Sequence, residues 1–186
     1  MTDRQGKLQL KRLGTLSDVV FGLVILRFFD IIPKPAKGSF EWSDLADYFS
    51  ENLLILLIAV IGILVTTIYW TQNNMLSSQL ERTDGRHTAF SIFQLFFLLI
   101  FLWSLKFGID NGASPLSRGF ESIAATCVGL FAGLGFSYAI KKRRLLLDEV
   151  SDDDARLTSI RIMAEPITVL FTYFSFSLPY SGKFPG

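Results

Sequence analysis

The chain has 186 residues, 50% of them hydrophobic, with 18 phenylalanines, a net charge of +1 and a mean hydropathy of +0.40. So oily a mean excludes an ordinary soluble domain of this length, and the near-zero charge excludes a global field for nucleic acid. A single cysteine, Cys127, and a single histidine, His87, exclude an intrachain disulfide framework and a metal cluster of the usual spacing.

The first sixteen residues, MTDRQGKLQLKRLGTL, are too polar for a signal peptide and precede no small-residue cleavage site. The first span, about 14–32, is therefore expected to stay in the mature protein. It is apolar from Ser17 to Ile32 except for Asp18, Arg27 and Asp30. Pro33 and Pro35 then remove helix donors, and Gly38 allows a turn. Ser39 stands as a cap for a short outer helix, about 40–51. There Phe40, Trp42, Leu45, Tyr48 and Phe49 are interspersed with Glu41, Asp44, Asp47 and Glu51. This predicts an interfacial helix on the outer leaflet, with a soluble loop as the plainer alternative.

Four further apolar runs predict spans at about 52–72, 88–108, 118–140 and 158–179. A crossing helix needs about 20 mainly apolar residues, so five spans fit. In the fourth, Ala125, Gly129 and Gly133 fall four apart, the spacing that lets helices approach closely, and Cys127 reads as a small buried hydrophobe. KKRR at 141–144 reads as a topology anchor that also attracts anionic lipid headgroups. Ser151 is placed to cap the last helix ahead of Asp152–Asp154. That helix must tolerate Pro166, read as a kink, and Glu165, read as an inner-interface residue or a proton sensor.

With the N-terminus inside, twelve basic residues fall in inner segments and five in outer ones, with Arg27 in the span. The chain is expected to be one membrane domain, 1–186. Its fold class is an all-α, polytopic transmembrane helix bundle with a cytoplasmic N-terminus. No Ser/His/Asp arrangement, phosphate loop or paired-carboxylate site stands on a polar scaffold. The expectation is not an enzyme, with no cofactor and no metal site.

The first span has a definable face. At about 100° per residue, Leu16, Val19, Leu26, Arg27 and Asp30 all lie within about 60° of Leu23. Ser17 and Asp18 lie on the opposite side, near the inner end. A carboxylate there must meet protein or water. Trp70, Asn73 and Asn74, at the inner end of the second span, are partners of matching depth.

These residues carry a resemblance. RLGTLSD, Arg12 to Asp18, resembles the R-x-x-x-F-S-D signature of the transmembrane-protein-175 family of potassium channels, with Arg12, Ser17 and Asp18 matching and Leu16 at the phenylalanine. The family ends its second span with Trp-x-x-His; here Trp70 is kept and Asn73 stands at the histidine. The resemblance implies that first spans of several subunits line a central ion path, with Leu23 as the tight ring. It implies a homo-oligomer, a tetramer for a single-repeat chain. The family repeat has six spans, and its next pore layer is often threonine where this chain has Leu26. A ring of leucines closes a pore by excluding water. The expected function is a channel of the cell membrane for monovalent cations, potassium first. Arg12, Ser17 and Asp18 would then bracket the pore helix to Trp70 and Asn73. The expected partners are membrane lipids, monovalent ions and further copies of the chain, not nucleic acid. The alternative is a non-conducting membrane scaffold or partner subunit with the same helix packing.

Overall fold

The computed structural model describes residues 3–35, 41–111, 114–143 and 145–177. They form five α-helices: α1 Asp3–Phe29, α2 Asp44–Ser78, α3 Gly85–Asp110, α4 Pro115–Ile140 and α5 Asp152–Ser177. No strand occurs among the described residues. Three helices, α2, α3 and α4, are long and apolar enough to cross a membrane. The chain divides into two compact units, Gly14–Ser77 and Met1–Leu13 with Ser78–Gly186.

Most helix bounds exceed the expected spans because polar turns continue the helices past the apolar runs, although α1 stops at Phe29, short of the expected 32. α1 begins at Asp3 rather than near 14, since no proline or cap interrupts residues 3–13. The expected interfacial helix and second span are one element: α2 runs unbroken from Asp44 through Asn52 to Ser78. Nothing between them breaks a helix, and Asn52 donates to the Tyr48 carbonyl at 2.9 Å from within it. The cap assigned to Ser39 and the last span's end at 178–179 lie outside the described residues.

In the larger unit, α3 and α4 pack through rings and small residues. Phe131 stacks between Phe93 and Phe97 at centroid distances of 5.2 and 5.4 Å. Leu98, Ser104, Ser117, Ala124 and Val128 are buried. α4 meets α5 along its glycines. Gly133 lies under Met163, and a Cβ on Gly129 would sit 2.9 Å from Pro166 Cδ. Pro166 therefore stays inside a continuous helix, its ring seated on a residue without a side chain. Ala125, the third small residue of that spacing, is half-buried.

Hydrogen-bonded loops close one end of this unit. Residues 79–81 and 145–147 pair through Glu81 N–H to Leu145 O at 2.9 Å and Leu147 N–H to Gln79 O at 3.0 Å. Arg143 holds a left-handed backbone, φ 49°. Its guanidinium donates to the carbonyls of Leu147 and Val150 and pairs with Asp152 at 2.6 Å. The left-handed region costs a non-glycine residue about 1–2 kcal/mol, which these bonds offset. So one residue of KKRR organises a loop. Ser151 caps α5 by accepting from the Asp154 N–H at 3.1 Å.

The start of α1 joins the same unit. Thr83 donates its N–H to Gly6 O, Arg82 pairs with Asp3 at 2.8 Å, and Lys7 pairs with Glu81 at 2.9 Å. The Arg82 guanidinium, with Lys7, holds the Asp3 carboxyl below its ordinary value; Glu81, with Asp3, raises the Lys7 ammonium. Both pairs are exposed, so each contributes little.

Asp84 caps α3, accepting from the N–H groups of Arg86 and His87 at 3.1 and 3.0 Å and from the Tyr138 hydroxyl at 2.7 Å. Partial burial works to raise its carboxyl pKa. The bonds from His87, Tyr138 and Arg86 outweigh that and leave it below the ordinary value. A depressed carboxylate adds stability that is fully present above the unfolded pKa, near 3.9, and is lost as pH falls through the folded one. Asp84→Ala is expected to cost about 1–2 kcal/mol at neutral pH, the usual value of a cap. Asp84→Asn keeps cap geometry, so its thermal midpoint should fall less steeply than wild type on acidification. Melting curves from neutral pH to about 3 on the detergent-solubilised protein measure both.

Candidate functional site

The smaller unit holds the sequence-predicted site residues from Leu16 to Asn73. α1 carries a repeating pattern there, because its large residues recur every three or four positions. Phe21, Val24 and Phe28 are fully buried, and Ser17 is buried one turn before them. Leu16, Val19, Leu23 and Leu26 occupy the other face and are all exposed; Leu23 is 50% accessible. Arg27 and Asp30 extend that exposed stripe, joined by a 2.9 Å ion pair between Arg27 Nη1 and Asp30 Oδ2. α1 ends at Phe29. Asp30–Ile32 continue as turns, each amide bonding three residues back, before Pro33 removes the next donor.

The buried face meets α2 at a residue with no side chain. The Phe28 ring occupies the space where a Cβ on Gly62 would stand. Ala59 and Thr66 are buried with Gly62, at i−3 and i+4, so a small-residue seam runs along α2. Thr66 donates its hydroxyl to the Gly62 carbonyl at 2.8 Å, so its burial leaves no orphan donor. Sequence reading missed this seam. The signal was present: alanine, glycine and threonine at helical spacing inside a run of leucine and isoleucine.

Near Asp18 the pair is tied differently. The Trp70 indole N–H donates to Asp18 Oδ1 at 2.8 Å. This charge-assisted bond joins α1 to α2 on the side of α1 away from Leu23. Asn73 is half-buried one turn beyond Trp70, and Arg12 is exposed, in the N-terminal segment of the other unit. At the opposite end of the pair the Tyr48 hydroxyl donates to the Pro33 carbonyl at 2.6 Å. Bonds at both ends and an aromatic wedge between them hold the α1–α2 pair.

Trp70→Phe removes the donor and keeps most of the ring. Hydrogen bonds to charged groups contribute about 1.5–3 kcal/mol, and water recovers part of that at this exposed position. Trp70→Phe and Asp18→Ala are each expected to lower the thermal midpoint by a few degrees. The double variant should lose little more than either single one. Additive losses would mean that the two residues act separately.

Chemically, the exposed stripe of α1 is aliphatic from Leu16 to Leu26 and carries a charged pair at its C-terminal end. Among the described residues no cluster of three or more histidine, cysteine or acidic side chains is placed to hold a metal ion. No family model and no curated protein matches the chain.

Proposed function

We propose that this chain is a subunit of an oligomeric ion channel of the cell membrane. In this reading α1 lines the pore, Leu23 forms its hydrophobic gate, and monovalent cations, potassium among them, pass. α1 and α5 join the three apolar helices as spans, with the N-terminus cytoplasmic.

The observation that carries the reading is the composition of the exposed face of α1. Four aliphatic residues and a paired Arg27 and Asp30 share it, while Phe21, Val24 and Phe28 are buried behind. Charged side chains at membrane depth are costly against lipid and face protein or water-filled space instead. A face that is aliphatic along its length and charged at one end suits a pore with a dewetting constriction and a hydrated mouth. Arg12, Ser17, Asp18 and Trp70 also stand where the transmembrane-protein-175 family carries its landmarks. That resemblance favours a divergent relative of those channels and a tetramer.

The test is flux from liposomes holding the purified protein, with potassium, sodium and chloride gradients imposed in turn. Native mass spectrometry counts the subunits. Cation flux from a tetramer is the expected result. No flux from folded oligomers, in wild type and in Leu23→Ala alike, would leave the same helix packing as a membrane scaffold.

A further inference from the structure

The exposed face of α1 is not uniform in its chemistry. Its inner and central parts, Leu16 to Leu26, offer no charge. Arg27 and Asp30 stand at its outer end, straddling the line through Leu23, with Arg27 the more exposed side chain at 69% and Asp30 at 55%. Exposure leaves both heads able to reach an ion on this face, and the 2.9 Å contact makes each the nearest counter-charge of the other. Lys34, the next charged residue along the chain, is exposed beyond the Pro33 turn.

We infer that Asp30 cancels the Arg27 charge that would otherwise repel cations from this face, so that the balance of the Arg27–Asp30 pair decides which sign of ion is excluded. The inference rests on the pore reading of α1 and adds its selectivity determinants. Each subunit brings one positive and one negative group to the same level of the axis. The ring they form has no net charge, and its field on the axis is that of short dipoles, which decays faster than that of free charges. Removing Asp30 leaves one uncompensated guanidinium per subunit, the lining of an anion pore. Removing Arg27 leaves one carboxylate per subunit, the lining of a cation pore. A leucine ring discriminates little by sign, so upsetting the balance of the charged layer should decide which ion is turned away.

The deciding experiment measures potassium and chloride flux from proteoliposomes for wild type, Asp30→Asn, Arg27→Gln and the double variant. Leu23→Ala serves as an open-pore reference. Asp30→Asn should lower the potassium-to-chloride ratio by about tenfold or more, and Arg27→Gln should raise it several-fold. The double variant, neutral again, should return close to wild type. That return separates charge from damage to the helix, since both changes are then present. If Asp30→Asn fails to assemble, the rise in Arg27→Gln decides alone. An unchanged ratio in the single variants, with Leu23→Ala still raising flux, would overturn the inference and leave the channel standing. Absence of flux from every folded variant, Leu23→Ala included, would overturn both.

Discussion

Gly62→Leu is expected to abolish the packing of α1 on α2 and, in the proposed channel, the recovery of folded oligomer. The Phe28 ring already fills the position of a Cβ on Gly62, and Phe28 has no accessible surface into which to retreat. A larger residue must drive the ring out or push the helices apart. Overpacking a filled site costs about 1–3 kcal/mol and more where neither side can yield. Here the clash falls on a ring held from all sides, so the expected cost is at the top of that range. In a membrane the effect is sharper, because α1 and α2 associate by close packing and not by the hydrophobic effect. Size-exclusion chromatography and a thermal midpoint in detergent provide the readout. Phe28→Ala in the same chain should restore part of the oligomer by vacating the space. Full recovery of Gly62→Leu alone would show that the contact does not hold the pair together.

In the proposed channel, Leu23→Ala is expected to raise cation leak by about tenfold or more, since a hydrophobic constriction gates by excluding water. Leu23 lies at the middle of the exposed stripe, with Val19 and Leu26 one turn to either side. Truncation removes three carbons from each subunit at one level and widens the ring there by the same amount in every direction. Water then enters more readily, and an ion no longer has to shed its hydration shell to pass. Because Leu23 is exposed in the single chain, its truncation leaves no cavity within the unit and little loss of monomer stability. The liposome assay separates the two effects: leak rises while the melting curve of the α1–α2 unit stays in place. A leak unchanged from wild type in a folded oligomer would move the gate elsewhere or remove it.

The two predictions differ in how far they were legible. The two faces of α1 follow from spacing alone. A helix of this pattern must separate Phe21, Val24 and Phe28 from Leu16, Val19, Leu23 and Leu26, whatever packs on either side. The Arg27–Asp30 pair follows from the same geometry, because side chains three apart are neighbours on a helix. Ser151 at the start of α5 is equally local, since the residues it serves are adjacent in the chain.

What the sequence by itself determined, then, is what the backbone period and nearest neighbours control: an all-helical chain with long apolar runs, the two faces of α1 and the Ser151 cap, whereas the expected interfacial helix and second span proved to be one element. What only the tertiary structure decided is which distant groups meet. Composition shows that Gly62 is small but not that Phe28 fills it, and matching depth offered Trp70, Asn73 and Asn74 to Asp18 without deciding that the Trp70 indole makes the bond. Nor does a run of four basic residues show that Arg143 turns back onto the carbonyls of its own loop, or that Tyr138 reaches Asp84 across 54 positions. The physical reason is common to all of these. Helix periodicity fixes the direction in which a side chain leaves its own axis, whereas the partner it finds depends on the crossing and register of two helices. Those are set by the sum of many weak contacts along the whole seam.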